Sequence, residues 1–259
     1  MTGELLVSRD GDIASVTLNR PQRLNALNRG QWQALGESMR QLSSDETLRC
    51  IVLRGAGGKA FAAGADIAEF ATERADARQA KGYGELIHAT MQAVAQCRHP
   101  TVALIEGACI GGGLEIAAMC DFRICGESSR FGVPISKLGL TMGYGELAGM
   151  LALVGRAVAL EILLEGRIFG AGEAYHKGLV NRVVSDTEVE REAFALARRI
   201  ADGAPLVARW HKQFIERLTP RADIPAAEWD QGYVCFDTED YREGVRAFLA
   251  RKPPKFSGR

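Results

Sequence analysis

The chain has 259 residues, of which 47% are hydrophobic, and this is enough to bury a large core in one domain or in one domain with a small appendage. Lysine plus arginine and aspartate plus glutamate each number 32, so the formal net charge is zero, and nothing in the composition indicates a nucleic-acid or anionic-membrane partner. The N-terminus has no basic segment followed by an apolar one, and no uninterrupted apolar stretch approaches about 18 residues, so we expect neither a signal peptide nor a membrane span.

Short strands and helices alternate in the first part of the chain. Two strand-like runs flank the turn dipeptide Asp10-Gly11 and predict a hairpin. Apolar side chains at helical spacing predict a helix from Asn28 to Leu42, and the apolar run Cys50–Arg54 predicts a short buried strand. The small residues Ala62-Ala63-Gly64-Ala65 then either expose backbone N–H groups or form a tight strand-to-helix connection. The charged, alanine-rich stretch Glu69–Ala80 predicts a mobile or solvated helix.

The stretch Pro100–Asp121 is the most informative part of the sequence. The apolar run Thr101–Ile105 predicts a buried strand, and a triple glycine, Gly111–Gly113, leads into the helical segment Leu114–Met119. Glycines let a ligand approach the backbone, and the first N–H groups of a helix are unpaired at the positive end of its dipole. These donors predict a site for an oxygen that becomes negatively charged. Glu115, in the first turn, is either its acid/base or a carboxylate that satisfies backbone donors.

The last third of the chain is predicted to be helical. Glu146–Val154 and Ala157–Leu164 have helical patterns, and from Asp186 onward no further strand is predicted. This shift places a domain boundary near residue 200, which divides the chain into a mixed core, residues 1–200, and a helical region, residues 201–259. Because no linker-like segment separates them, the helical region is expected to pack on the core or on a neighbouring subunit.

Several other patterns indicate no cofactor or metal. Gly55-x-Gly57-x-x-Ala60 imitates a dinucleotide fingerprint, but no second buried strand with a terminal acid follows it. No Gly-Lys-Ser/Thr closes a phosphate loop after Gly107, and the four histidines show no ligand spacing. The six cysteines form no C-x-x-C pair and mostly lie in apolar runs, which favours buried free thiols in a reducing compartment, the cytoplasm.

Together these motifs resemble the crotonase (enoyl-CoA hydratase/isomerase) superfamily over nearly the whole chain. The segments that carry the resemblance are Leu18–Pro21, Leu24–Leu27, Phe61–Ile67, Gly111–Glu115, Cys120-Asp121, Phe131–Pro134, Lys137–Gly139, Gly178–Asn181 and Phe256–Arg259. The resemblance implies an α/β fold, a spiral of ββα units followed by a C-terminal helical trimerisation region. It also implies a homotrimer or a dimer of trimers.

The resemblance also implies roles for individual residues. The backbone N–H groups of Ala65 and Gly112 would hold the thioester oxygen of an acyl-CoA, and Glu115 would be the acid/base. Coenzyme A would be part of the substrate, with no separate cofactor. The residues that would contact the coenzyme A moiety or the acyl group are Leu24, Ala63, Ala65, Asp66, Ile67, Ala68, Gly112, Lys255 and Phe256, the last two from an adjacent subunit.

The sequence departs from the family pattern at one catalytic position. Hydratases of the family carry a second glutamate directly after the residue matched by Pro134, whereas this chain has Ile135, which cannot bind water or move a proton. Glu146 is the nearest substitute, either as a displaced second carboxylate or as a structural acid of a helix's first turn. Tyr144 could instead orient the substrate through its hydroxyl group.

The expected activity is hydration of a 2-enoyl-CoA through a thioester enolate. Because of Ile135, another crotonase reaction is the alternative: isomerisation, hydrolysis or decarboxylation of an acyl-CoA. A subunit that binds acyl-CoA without turnover is a more remote alternative.

Overall fold

Two β-sheets form the framework of the structure, a computed structural model that describes residues 3–218, 230 and 233–255. The strands are β1 Leu5–Asp10, β2 Ile13–Leu18, β3 Cys50–Gly55, β4 Ala60–Ala62, β5 Thr101–Ile105, β6 Ala108–Ile110, β7 Phe122–Gly126, β8 Arg130–Gly132, β9 Phe169–Gly170 and β10 Arg182–Val184. The larger sheet has the order β1-β2-β3-β5-β7-β10, and the smaller has the order β4-β6-β8-β9.

Most neighbouring strands run parallel. The predicted hairpin is present, with β1 antiparallel to β2, and β2, β3, β5, β7 and β10 are successive parallel neighbours. In the smaller sheet β4, β6 and β8 are parallel and β9 is antiparallel to β8. Every residue of β5 is buried, as expected for a central strand whose two faces are both covered.

Nine described helices accompany the sheets. They are α1 Arg29–Ser44, α2 Phe70–Glu73, α3 Ala77–Ala95, α4 Gly112–Met119, α5 Tyr144–Glu165, α6 Ala171–His176, α7 Val189–Ala201, α8 Pro205–Leu218 and α9 Glu239–Leu249. The predicted helix from Asn28 is confirmed: the Asn28 side chain caps α1 by accepting a hydrogen bond from the Gln31 N–H at 2.8 Å. Its apolar face, with Trp32, Leu35 and Met39, is fully buried.

The chain repeats one structural unit three times. Strands β3, β5 and β7 each enter the larger sheet, and each is followed by a three-residue strand of the smaller sheet and then by helix. The order β3-β4-α2/α3, β5-β6-α4 and β7-β8-α5 confirms the predicted spiral of ββα units. All six cysteines are unpaired, and all but Cys235 are buried, as predicted.

Helix α5 differs from its prediction. The two predicted runs are one helix, interrupted at Gly155, whose φ of 72° lies in the left-handed region. By length and composition alone α5 could cross a membrane, although Glu146, Arg156 and Glu161 interrupt it and leave no uninterrupted apolar stretch of about 18 residues. That criterion is weak evidence, because core helices pass the same test. The side chains of Leu151, Leu160 and Leu164 are exposed in the single chain.

The region after residue 201 is helical where the structure describes it. Helix α7 packs its buried Val189, Ala193 and Ala197 against the larger sheet, whereas the apolar side chains of the following helix α8 are largely exposed. Helix α9 returns to the core: a Cβ on Gly244 would lie only 2.5 Å from the backbone carbon of Leu138. Part of the helical region therefore packs on its own core. The boundary near residue 200 stays a prediction.

Candidate active site

A cavity of about 280 Å³ opens where the loop after β4 and the first turns of α4 and α5 meet. Most of its wall is apolar, formed by Trp32, Ile67, Phe70, Ile87, Ile110, Ile135, Leu138, Leu140, Met142, Phe236 and Phe248. Its polar groups are few. They include backbone atoms of Ala65 and Gly112 and the side chains of Arg74, Glu115 and Glu146. An apolar pocket with a few convergent polar groups is typical of a small-molecule site.

The loop that carries Ala65 is held by backbone pairing with residues 24–27. The Ala63 N–H donates to the Leu24 carbonyl at 3.0 Å, and the Leu27 N–H donates to the Gly64 carbonyl at 2.8 Å. The Asp66 N–H in turn donates to the Leu27 carbonyl at 2.8 Å. This pairing fixes the loop on both sides of Ala65 without using the Ala65 N–H.

Buried Asn25 connects this loop to the core. Its side-chain Nδ2 donates to the carbonyls of Ala60 at 2.7 Å and Ala56 at 3.0 Å, and its Oδ1 accepts from the Arg20 N–H at 3.0 Å. The backbone of Asn25 has φ of 56°, a left-handed conformation that asparagine adopts more readily than most residues. The position of the Ala65 loop therefore depends on one fully buried polar side chain.

The second loop brings the N–H of Gly112 close to that of Ala65. Gly112 is the first residue of α4, so its N–H has no partner within the helix. A Cβ on Gly112 would lie 3.7 Å from the Ala65 nitrogen, and a Cβ on Gly64 would lie 3.6 Å from the Gly112 nitrogen. Within residues 3–218, 230 and 233–255, neither amide donates a hydrogen bond. Two adjacent unpaired donors thus face the cavity.

Glu115 is buried in the first turn of α4, on the same wall. The pKa of its carboxyl group is raised to about 8, chiefly by burial and also by the neighbouring Glu146, while the Arg74 guanidinium opposes the shift. No donor in the described part of the chain hydrogen-bonds to this carboxyl group, which disfavours the alternative of a carboxylate that caps the helix. A carboxylic acid with a pKa near neutrality can both give and take a proton.

Glu146 lies in the first turn of α5 and is also buried. Its carboxylate folds back over the helix start, since a Cβ on Gly143 would lie 2.5 Å from Oε2. Burial raises the pKa of Glu146, and a hydrogen bond from its own backbone N–H opposes the shift. The two alternatives for Glu146 are therefore compatible: it is a first-turn acid, and it lines the cavity.

The raised pKa of Glu115 predicts a pH-dependent stability. Between about pH 4.5, the ordinary value, and about pH 8, the unfolded chain ionises at this residue while the folded protein keeps the proton. The free energy of unfolding therefore falls as the pH rises through this window. The Glu115→Gln variant has no ionisable group at this position. We expect its free energy of unfolding to exceed that of the wild type at pH 8 and to match it near pH 4.5. Urea denaturation at both pH values measures this, and an equal difference at both would contradict it.

Other residues that the sequence singled out lie at or beyond the cavity margin. Ile67 and Ile135 line the cavity, and Ala63 lies beside the unpaired amides. Asp66 is engaged elsewhere: its carboxylate pairs with Arg20 at 2.9 Å and accepts a hydrogen bond from the Ala68 N–H at 3.3 Å. Neither Asp66 nor Ala68 belongs to the cavity wall among the described residues.

Three further predictions concern more distant positions. Leu24 is exposed, with φ of 50°, beside the paired loop. Tyr144 begins α5 but is not among the described residues of the cavity wall. The exposed Lys255 donates its backbone N–H to Glu243 at 3.0 Å, away from the cavity, and Phe256 lies outside the described residues.

Sequence reasoning missed Arg74. The stretch Glu69–Ala80 was expected to be mobile or solvated, but it forms α2 and the start of α3, and Phe70 and Arg74 reach the cavity. The aromatic residues Phe70, within this charged stretch, and Tyr83, just after it, are the signal that could have indicated a buried wall. No group of three or more His, Cys, Asp or Glu side chains in the described regions could hold a metal ion.

Comparisons with known proteins agree with this architecture. The enoyl-CoA hydratase/isomerase family model matches residues 8–259. A probable enoyl-CoA hydratase of Mycobacterium bovis is 36% identical over 257 residues, covering 98% of each chain. The crystal structure of an enoyl-CoA hydratase/carnithine racemase from Magnetospirillum magneticum is 49% identical, with a TM-score of 0.83 over 100% of this chain and 97% of that one.

A further solved structure is close in shape but more distant in sequence. Methylmalonyl-CoA decarboxylase in complex with 2-nitronate-propionyl-CoA has a TM-score of 0.89 at 25% identity, over 99% of each chain. The family match over nearly the whole length and the similarity to named hydratases leave the exact reaction open. They establish that the chain is an enzyme of the enoyl-CoA hydratase/isomerase family, with the crotonase fold.

Proposed function

We propose that the protein adds water to the double bond of a 2-enoyl-CoA thioester. One observation carries this proposal: the two unpaired amides of Ala65 and Gly112 meet at the same cavity wall as Glu115, whose pKa of about 8 suits proton transfer near neutral pH. The thioester oxygen accepts hydrogen bonds from both amides. Charge that develops on this oxygen during the reaction is then stabilised by donors that are already in place.

The reaction requires two proton movements. Water adds through its oxygen to the β-carbon and loses a proton to a carboxylate, and the resulting thioester enolate takes a proton at the α-carbon from a carboxylic acid. Glu115 and Glu146 lie in one cavity, and burial raises the pKa of both carboxyl groups. One of them takes the proton from water as a carboxylate, and the other gives a proton to the α-carbon as an acid. Glu115 is the principal acid/base, and Glu146 replaces the glutamate that Ile135 does not supply.

The remaining parts of the substrate bind to residues near the Ala65 loop and to an adjacent subunit. Leu24, Ala63 and Ile67 border the pantetheine and acyl groups, and the segment Ala65–Ala68 lines the adenine site. Lys255 and Phe256 reach coenzyme A from an adjacent subunit. Coenzyme A enters as part of the substrate, and no separate cofactor is needed.

We also propose that the protein is a cytoplasmic homotrimer or dimer of trimers. The support for an oligomer is the set of exposed apolar side chains on α5 and on α8, which suit subunit interfaces. These side chains include Leu151 and Leu164 on α5 and Trp210, Phe214 and Leu218 on α8.

Product analysis tests hydration against the other reactions. Purified protein is incubated with 2-enoyl-CoA esters of increasing chain length, and the products are identified by mass. We expect products that are heavier than the substrate by one water molecule and still esterified to coenzyme A. Free coenzyme A would indicate hydrolysis. A product of unchanged mass would indicate isomerisation, and loss of carbon dioxide from a carboxylated ester would indicate decarboxylation. Binding of every ester without turnover would indicate a non-catalytic subunit.

A further inference from the structure

Arg74 lines the cavity, and its guanidinium has two buried nitrogens without a hydrogen-bond partner among the described residues. It follows the last residue of α2, and its carbon Cζ lies 4.0 Å from the ring centroid of Tyr83 and 4.8 Å from that of Phe70. Its Nε and Nη2 atoms are buried and have no hydrogen-bond partner within the part of the chain that the structure describes. The aromatic rings contact the guanidinium and the Tyr83 side chain also hydrogen-bonds with it, whereas Nε and Nη2 keep unused N–H donors.

The backbone holds Arg74 in this position. Its backbone N–H donates a hydrogen bond to the Phe70 carbonyl at 3.0 Å, and its carbonyl oxygen accepts a hydrogen bond from the Tyr241 hydroxyl group at 2.7 Å. Tyr241 belongs to α9, so contacts from two separate parts of the chain fix the residue. The backbone of Arg74 is therefore fixed beside the cavity by hydrogen bonds.

No carboxylate forms an ion pair with Arg74 within the described residues. Glu115 and Glu146 line the same cavity and interact with it electrostatically, but neither lies within ion-pair distance. Burial lowers the pKa of the guanidinium, yet arginine starts from so high a value that it stays charged in proteins. Burial also raises the pKa of both glutamates and so reduces the negative charge that they supply. A buried charge without a partner is costly, and an anionic ligand group would relieve this cost.

We propose that Arg74 binds a carboxylate carried by the acyl group of the substrate, so that the preferred substrate is a carboxylated acyl-CoA. This inference rests on the proposed function for the position of the thioester. The guanidinium lies in the cavity that also holds Glu115, which is the acyl end of the site, so the anion it meets is on the acyl group. A planar guanidinium also matches the two oxygens of a carboxylate.

Binding of saturated thioesters, which cannot be hydrated, tests the proposal. Two matched pairs distinguish where the carboxylate lies: glutaryl-CoA with pentanoyl-CoA for a distal carboxylate, and methylmalonyl-CoA with isobutyryl-CoA for one on the α-carbon. Calorimetry should show that the wild type binds the acidic member of at least one pair tenfold or more tightly than the neutral member. Equal binding in both pairs, or preference for the neutral members, would overturn the proposal.

Variants identify the residue responsible. We expect Arg74→Met to abolish the preference for the acidic ester, mainly by weakening the binding of that ester. Arg74→Lys should keep part of the preference. The control is Arg78→Met, which removes an exposed arginine of α3 outside the described cavity wall and should leave the preference intact. A preference that survives Arg74→Met or disappears in Arg78→Met would contradict the assignment. Thermal unfolding verifies that each variant is folded.

Kinetics separate this inference from the proposed function. With pent-2-enedioyl-CoA and pent-2-enoyl-CoA as substrates, Arg74→Met should raise the KM for the acidic ester at least tenfold and change that for the neutral ester little. If neither ester is hydrated while the binding preference persists, hydration is wrong and the role of Arg74 stands. If both are hydrated with equal kcat/KM, hydration stands and the role of Arg74 is wrong.

Discussion

Glu115→Gln is expected to lower kcat for the hydration of but-2-enoyl-CoA by about a hundred- to ten-thousandfold, the usual contribution of a positioned acid or base. Glutamine keeps the size of the side chain but cannot take a proton from water or give one to carbon. Because burial raises the pKa of Glu115 to about 8, the site already accommodates a neutral side chain near pH 7, and the neutral amide should be tolerated. Loss of the ultraviolet absorbance of the conjugated thioester measures the rate.

Two variants complete this test. Glu127→Gln changes an exposed carboxylate outside the cavity and should leave kcat unchanged. Glu146→Gln decides the role of the second acid: a loss of similar size to that of Glu115→Gln supports a second proton carrier, and a small loss supports a structural acid. Undiminished hydration in Glu115→Gln would refute the assigned acid/base.

Gly112→Ala is expected to reduce kcat/KM for the same substrate by about a hundredfold or more. A Cβ at this position would lie 3.0 Å from Cζ2 of Trp32 and 3.7 Å from the Ala65 nitrogen. The methyl group therefore forces the indole or the loop to move and occupies space beside both donors. Losing one oxyanion donor costs about a hundred- to thousandfold in other enzymes, and a misplacement of about 1 Å costs a similar factor.

The matched control for this variant is Gly82→Ala in α3, where a Cβ would meet no atom within 4 Å. It changes the same residue type in a helix away from the site and should keep full activity. Circular dichroism and thermal unfolding show whether both variants are folded. Full activity in a folded Gly112→Ala variant would mean that the space beside this amide is not used in the reaction.

Local sequence signals predicted the part of the site that is contiguous in the chain. The triple glycine and Glu115 lie within five residues, so the strand, the helix start and the acid can be inferred together. The role of Ala65 needed the family resemblance, because its position opposite Gly112 depends on pairing with residues 24–27 and on buried Asn25. These contacts join segments that are distant in sequence.

The elements that the local sequence did not predict were missed for a related physical reason. Strands β4, β6 and β8 have three residues each, too few for an alternating pattern to be recognised. Arg74 belongs to a charged stretch whose composition favours solvent exposure, and Phe70, Tyr83 and Tyr241 from three helices enclose it. Burial of a charge is a property of the tertiary structure, and local composition does not indicate it.

A crystal structure of the protein with bound butanoyl-CoA, a saturated and therefore unreactive ester, tests most directly whether the amides of Ala65 and Gly112 form an oxyanion site. We predict that the thioester oxygen lies about 2.7–3.1 Å from both nitrogens, with the α-carbon facing Glu115. An ester bound in the cavity with this oxygen away from both amides would contradict the proposed mechanism.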